Sequence, residues 1–134
     1  MTAKEFLNRA YKLDHRINSK LEQLESLNDL TQKITTSLSA VPPSGTRNVH
    51  RLSDTIEKII DLENEINADI DMLVDTKKEI MKAIKSVDRI ECQLLLEKRY
   101  LCFNTWEQIA VDLDYCIDNV YKLHRRALKL VKIN

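Results

Sequence analysis

Apolar residues recur along the first part of the chain at alternating spacings of four and three. They are Phe6, Ala10, Leu13, Ile17, Leu24, Leu27, Ile34 and Leu38, with Lys20 and Thr31 as interruptions. This period places them on one face of an α-helix, as in a coiled coil. Thr2 and Glu5 have the spacing of a capping box at a helix start. Because proline cannot continue a helix, the pattern predicts a helix from Thr2 to about Ser39, before Pro42.

A second apolar stripe follows further along the chain. It comprises Ile56, Ile59, Ile66, Ile70, Leu73, Ile80, Ile84 and Val87, with Glu63 and Lys77 out of pattern. Asp54 and Glu57 repeat the capping spacing, so a second helix is expected to start near Asp54. Residues 39–53 contain both prolines and the single glycine, and they form the predicted linker. Residues 1–87 are therefore predicted to form a long helical hairpin.

The predicted hairpin buries only a narrow seam between its two helices. Such a seam contributes little stability in water, so we expect residues 1–87 to act as an oligomerisation element. A homo-oligomer is expected, with a dimer favoured. The alternative is that these helices pack only within one chain and against the C-terminal part.

Beyond Ser86 the long period breaks and shorter helices are predicted. Asp88 and Glu91 supply a third capping signal, and short apolar clusters follow one another closely. Residues 88–134 are therefore predicted to form a compact module. The expected fold class is all-α, with a long N-terminal helical hairpin or coiled coil followed by this C-terminal module.

Within the module, residues 104–127 have the pattern of a helix-turn-helix. Asn104 or Thr105 can cap a first helix, with inward residues Trp106, Ile109, Ala110 and Leu113. After a break at 114–116, a second helix is predicted at about 117–127, with inward residues Ile117, Val120, Leu123 and Ala127. The small Ala110 permits close approach of the two helices, and Tyr115 is expected to anchor the turn in the core. The whole unit spans the length of a helix-turn-helix.

The outward positions of the second helix carry hydrogen-bonding and positively charged side chains. They are Asp118, Asn119, Tyr121, Lys122, Arg125, Arg126 and Lys129, the expected DNA-binding residues. No acid follows Asp118, so the end of the chain is locally basic although the formal net charge is zero. A helix with such a face fits the major groove of double-stranded DNA. His124, beside the arginines, is expected either to contact phosphate or to lie plainly at the surface, and Trp106 is expected in the core.

The composition argues against several other functions. With one glycine the chain has no phosphate-cradling loop, and no nucleophile motif or catalytic pair of carboxylates stands out. Three cysteines without a CxxC pair fit neither a disulfide framework nor a zinc site. We expect no enzymatic activity, no catalytic residues, no cofactor and no metal. The chain also lacks an apolar segment of signal-peptide or membrane-spanning length, so a cytoplasmic protein without membrane contact is expected.

The C-terminal third resembles a known group, sigma factor region four and the region-four-like regulators encoded by phages and prophages. The resemblance rests on LLLEKRYL (94–101), TWEQIAVDLDY (105–115) and NVYKLHRRALKLV (119–131), and covers about Asp88 to Val131. Asp114 stands where such turns commonly have glycine, and Cys116 where sigma-like modules usually have serine. The resemblance implies a DNA-binding module that also contacts RNA polymerase, and a role in late-gene regulation.

These observations lead to one leading hypothesis and two alternatives. The leading hypothesis is a sequence-specific transcriptional regulator of phage or prophage type, whose second module helix lies in the major groove. One alternative is a DNA-packaging oligomer that resembles a small terminase subunit. The other is a coiled-coil protein-interaction module without DNA binding.

Overall fold

The computed structural model describes the backbone of residues 1–40 and 46–133, and their side chains except at 37–40 and 46–48. The predictions that concern Pro42, Pro43 and Gly45 fall outside the described residues, and the prediction for Leu38 concerns a side chain that is not described. Every regular element in the described part of the chain is helical, so the predicted all-α class is confirmed.

The helices are α1 (Ala3–Leu7), α2 (Arg9–Ala40), α3 (Thr46–Lys85), α4 (Ile90–Leu96), α5 (Trp106–Leu113) and α6 (Ile117–Leu130), with a π-helical turn (Glu97–Leu101) directly after α4. The capping box at the first helix is present as predicted, because Thr2 Oγ1 accepts from Glu5 N and the Glu5 carboxylate accepts from Thr2 N. The predicted single first helix is interrupted once, at Asn8.

One predicted helix start was wrong, and one predicted capping interaction does not form. Residues 46–53, assigned to the linker from sequence, are helical, and α3 begins at Thr46 rather than near Asp54. The sequence contains no glycine or proline after Gly45 to stop a helix there. Helix α4 begins after Arg89, which makes no side-chain capping bond, so the capping pair expected at Asp88 and Glu91 does not form.

The chain divides into two compact units. One, here called the hairpin unit, comprises residues 15–71. The other, the terminal unit, combines residues 1–14 with residues 72–134. The sequence placed residues 1–14 and 72–87 with the hairpin, whereas in the structure these segments cluster with the C-terminal helices.

In the hairpin unit, α2 and α3 run antiparallel. Arg16 Nε lies 3.7 Å from Asp69 Oδ2, and Lys20 Nζ lies 3.7 Å from Glu65 Oε2. Later residues of α2 therefore pair with earlier residues of α3. The buried apolar side chains between them are Ile17, Ile34, Leu62 and Ile66. Two threonines of the seam bond their own helices, since Thr31 and Thr55 donate to carbonyls one turn earlier.

The α3 face that packs in the seam differs from the predicted one at alternate positions. Ile59 and Ile66 face inward as expected, but Ile56 and Ile70 are 42% and 40% exposed. Thr55, Leu62 and Asp69, each one residue earlier in the heptad, are buried instead. Relative to the prediction, α3 is thus rotated about its axis by one residue at these positions, so that Leu62 is buried and Glu63 stays in solvent. A charged interruption of the predicted stripe is thereby removed from the seam.

Lys20, the interruption of the first stripe, finds its partner in this rotated seam. Its Nζ lies 2.6 Å from Asp69 Oδ2, and the two side chains are only 14% and 10% exposed. A buried ion pair adds little net stability, because desolvation of both charges opposes their attraction. It disfavours other registers strongly, however, since any slip leaves one charge buried without its partner.

The core of the terminal unit gathers side chains from nearly every part of that unit. Its buried members are Leu7, Ala10, Ile80, Ile84, Val87, Cys92, Leu95, Leu96, Tyr100, Ile109, Val120 and Ala127. Helix α6 packs against α4, α5 and α1. The first residues of the chain are therefore part of the support on which α6 rests.

The Lys20–Asp69 pair provides a test of the seam. We expect Asp69→Ala to lower the free energy of unfolding by about 2–3 kcal/mol, because Lys20 stays buried with only Glu65 nearby. Replacing both residues with leucine should recover most of that loss. Urea denaturation at one fixed protein concentration measures these differences.

The Arg9–Glu79 ion pair of the terminal unit serves as the control, because its side chains are 36% and 59% exposed. Glu79→Ala should cost about 1 kcal/mol or less. Equal losses for Asp69→Ala and Glu79→Ala would contradict a special role for the seam pair.

Candidate nucleic-acid interface

Helix α5 starts as the sequence predicts. The Thr105 side chain, in extended backbone before the helix, accepts a hydrogen bond from Gln108 N at 3.1 Å. The Gln108 side chain does not return to the cap, because it donates to Asp112 Oδ1 at 2.8 Å. That bond, together with one from Lys98, holds the pKa of Asp112 below its usual value.

The turn between α5 and α6 depends on one left-handed residue. Asp114 has φ 58° and ψ 43°, a conformation that aspartate tolerates better than most residues with a Cβ. Tyr115 N donates to Ala110 O at 3.0 Å and closes the turn. The expectation that Tyr115 anchors the turn in the core was wrong, since its side chain is 39% exposed. The backbone, rather than the tyrosine ring, fixes this turn.

Helix α6 begins at Ile117, as predicted, and extends to Leu130, beyond the predicted end at about 127. Cys116 precedes it without a side-chain capping bond. Val120 and Ala127 are fully buried, and Leu123 packs against the same core. Because a helix repeats every 3.6 residues, burial of this face directs the intervening positions outward.

The seven residues predicted to bind DNA share the outer face of α6. All of Asp118, Asn119, Tyr121, Lys122, Arg125, Arg126 and Lys129 are exposed. None of the ion pairs between described residues involves the four cations of this set. Their charge is therefore free of direct neutralisation by a carboxylate. Asp118, in the first turn, interacts favourably with the helix dipole.

Tyr121 is held by an aromatic contact at the edge of this face. Its ring meets the Trp106 ring edge to face, with centroids 5.7 Å apart, while 40% of the side chain stays exposed. The Arg99 guanidinium lies over the Trp106 ring, 4.3 Å from its centroid. Trp106 itself is half-buried and packs on the core, in line with the expectation from sequence.

His124 lies on the inner side of α6, so neither sequence interpretation of it, as a phosphate contact or a plain surface histidine, was right. The side chain is 8% exposed, and its Nε2 shares a 2.6 Å hydrogen bond with the Tyr100 hydroxyl. Burial lowers the pKa of His124 to about 4, helped by the positive charges of Lys4 and Arg99. Burial likewise raises the pKa of Tyr100 to about 12. Both groups are therefore neutral at pH 7.

The π-helical turn places Tyr100 opposite His124. Cys102 N donates to Glu97 O at 3.0 Å, five residues back, which widens the helix by one residue at this point. Phe103 follows with φ 59°, a left-handed conformation that is unusual for a bulky residue. The Phe103 ring contacts Tyr11 and Lys77, which supports that conformation. The sequence LEKRYLCF gives no signal of this widening, so the Tyr100–His124 contact was not predicted.

Charge is divided unevenly between the two units. The terminal unit has 15 lysines and arginines against 11 acids, whereas the hairpin unit has 6 against 10. The overall neutrality of the chain therefore combines an acidic hairpin with a basic terminal unit.

Other kinds of site find less support in the described residues. They contain no group of three or more His, Cys, Asp or Glu side chains arranged to hold a metal ion. Cys92 is buried, which raises the pKa of its thiol, while Cys102 and Cys116 are exposed, and all three are free thiols. Nowhere in the described ranges is there a helix with the length and apolar character needed to cross a bilayer.

Comparisons of the chain with protein families, with curated proteins and with solved structures found no match.

The buried histidine makes stability dependent on pH. His124 has a pKa of about 4 in the folded chain and near 6.5 when unfolded, so the unfolded state binds more protons in between. We expect the contribution of His124 to the free energy of unfolding to be complete above pH 6.5. It should fall by about 3 kcal/mol as the pH drops to 4. Denaturation of the wild type and of His124→Gln across this range measures the difference.

The exposed His50 supplies the control. His50→Gln should keep the wild-type pH dependence, whereas His124→Gln should lose this part of it and keep only what the carboxylates contribute. Parallel curves for wild type and His124→Gln would show that His124 does not carry the effect.

Proposed function

We propose that this chain is a sequence-specific DNA-binding regulator that reads double-stranded DNA with α6. The observation that carries the proposal is the outer face of α6, where four cations without a carboxylate partner lie beside Asn119 and Tyr121. Helix α5 ends at the left-handed Asp114 and packs against α6, as a helix-turn-helix requires. Recognition helices of this type enter the major groove, which is wide enough to admit them.

The residues of the face divide by chemistry into two roles. Lys122, Arg125, Arg126 and Lys129 have the charge to contact phosphates or, for arginine, to bond guanine in a bidentate manner. Asn119 has the amide that bonds adenine edges, and it lies in the first turn of α6, the part of a recognition helix that usually reaches bases. Tyr121, whose ring contacts Trp106 edge to face, presents a partly exposed ring beside them.

We further propose that the module is of the sigma region four type found in phage and prophage regulators. The support is the resemblance of residues 94–101, 105–115 and 119–131, together with the short turn that separates α5 from α6. Under this proposal the terminal unit also contacts RNA polymerase. The acidic hairpin unit, which DNA repels, is then available to proteins rather than to the duplex.

For the oligomeric state, we propose a homodimer that forms through the long helices. On α3, Ile56, Ile60 and Ile70 share one face beside the seam and are 40–52% exposed. A second copy of the chain can cover this face by coiled-coil packing. If the chain is dimeric, its two α6 helices should read half-sites separated by about one helical turn of DNA, roughly 34 Å, or by a multiple of it.

A selection experiment tests the DNA proposal. Purified protein is incubated with fragmented genomic DNA from its source at about physiological salt, and the bound fragments are recovered and sequenced. We expect a few sites with a shared motif to be enriched. The double variant Lys122→Ala/Arg125→Ala should lose that enrichment, because it removes two contacts of the α6 face.

The matched control is Lys33→Ala/Lys58→Ala, which removes two exposed lysines of the hairpin unit. It should keep the wild-type enrichment. Uniform recovery of fragments that disappears with modest added salt would indicate phosphate attraction alone and would contradict sequence-specific reading. Unchanged enrichment in the α6 variant would exclude α6 as the reading helix.

Sedimentation equilibrium tests the dimer. We expect the wild type to sediment as a dimer, and Ile60→Lys/Ile70→Lys as a monomer, because two charges then enter the proposed contact. Leu21→Lys/Leu30→Lys changes two exposed leucines of α2 and should leave the dimer intact. A monomeric wild type, or equal effects of the two variants, would contradict pairing through this face of α3.

A further inference from the structure

The terminal unit contains a cleft of about 610 Å³ on the side of its core formed by both chain ends. It lies between the start of the chain, the last turns of α3 and the segment that follows α6. The side chains that define it chemically are Phe6, Arg9, Glu79, Lys82, Ala83 and Lys132. Its volume falls in the range of small-molecule sites, about 300–1,000 Å³, rather than of a groove for a folded partner. Neither the fold nor the α6 face assigns it a role.

The cleft joins an apolar wall to an excess of positive charge. Phe6 and Ala83 provide apolar surface, and the Arg9 guanidinium lies 4.7 Å from the centre of the Phe6 ring. Glu79 is the acid of the lining, and it is already paired with Arg9. Lys82 and Lys132 are exposed, and they take part in none of the ion pairs found in the described ranges. Two positive charges are therefore left without a partner at the rim.

Arg9 contributes a second observation. Its Nε is buried and has no hydrogen-bond acceptor, although the guanidinium itself is engaged by Glu79. A buried donor without a partner is unfavourable, and because this atom is buried, a ligand in the cleft does not reach it. Because Glu79 already occupies part of the guanidinium, it would repel a ligand with a second negative charge. The lining thus suits a single anionic group better than a phosphate ester with two charges.

We propose that this cleft binds a small amphipathic monoanion, a carboxylate or sulfonate attached to an aromatic or alkyl body. The anionic group interacts with Lys82 and Lys132 at the rim, and the apolar body packs on Phe6 and Ala83. Neither part alone accounts for the lining, since a purely apolar ligand leaves the lysines unused and a simple anion leaves the aromatic wall exposed.

The position of the cleft connects it to α6. Lys132 N donates to Ser86 Oγ at 3.3 Å, which fixes the segment after α6 to the end of α3. A ligand held by Lys132 and Lys82 adds a second connection between the same two elements. Resting on the proposed function, the ligand and DNA are then expected to change each other's affinity, by the same factor in both directions.

Fluorescence titration of the full chain with 8-anilinonaphthalene-1-sulfonate, an aromatic monoanion, tests the cleft directly. We expect saturable binding that 4-phenylbutyrate displaces and its neutral amide does not. Lys82→Glu/Lys132→Glu should weaken probe binding at least tenfold. Lys82→Gln/Lys132→Gln, which adds no acid, should weaken it in the same direction with the fold retained by circular dichroism.

The matched control is Lys33→Glu/Lys58→Glu, which makes the same change in net charge on the hairpin unit. Equal weakening in this control, equal displacement by the amide, or unchanged binding in both cleft variants would overturn the proposal. The DNA titration is measured separately, with and without 4-phenylbutyrate. Probe binding without DNA binding would support the cleft and refute the proposed regulator. DNA binding without probe binding would support the regulator and refute the cleft.

Discussion

The packing of α6 on the terminal core is the interaction on which the rest of the terminal unit depends. Val120 and Ala127 from α6 share one buried cluster with Leu7 and Ala10 from the start of the chain and with Ile80 from α3. Because Val120 and Ala127 face this cluster, the cations on the opposite face of α6 are exposed to solvent. The turn at Asp114, the half-buried Trp106 and the basic face are all arranged around that contact.

The buried Tyr100–His124 pair adds a polar requirement to this apolar core. Two neutral groups satisfy each other at 2.6 Å, so the core carries a hydrogen bond without carrying a charge. The pair also joins the π-helical turn to α6, so the two elements must be formed together. A core of aliphatic side chains alone would leave the rotation of α6 less strictly defined, and the identity of the outward residues depends on that rotation.

Much of this arrangement could be predicted from sequence because it follows from local rules. The Thr105 cap, the left-handed Asp114 and the start of α6 at Ile117 each depend on a few neighbouring residues. What failed depends on residues far away. Whether Asp69 or Ile70 enters the seam is decided by Lys20 on the other helix, and the burial of His124 is decided by Tyr100. Likewise, the pattern at Phe6 and Ala10 predicts a helix face but does not say that this face meets the C-terminal helices.

The hairpin and terminal units also differ in what holds them together. In the hairpin unit the seam is narrow and contains an ion pair, so its stability depends on register as much as on buried area. In the terminal unit a contiguous apolar cluster does most of the stabilising. The same chain thus combines an element whose alignment is set by charge with an element whose shape is set by packing. The acidic and basic excesses follow the same division.

The composition of the terminal unit from residues 1–14 and 72–134 has a consequence for how the chain acquires its fold. Its core cannot close until two segments separated by the whole hairpin meet, and closing a long flexible loop is entropically unfavourable. A hairpin that forms first shortens the effective loop, because the antiparallel helices bring their far ends together. A hairpin formed early would then act as an internal tether, and the C-terminal helices are completed by the first turns of the chain rather than by their own sequence alone.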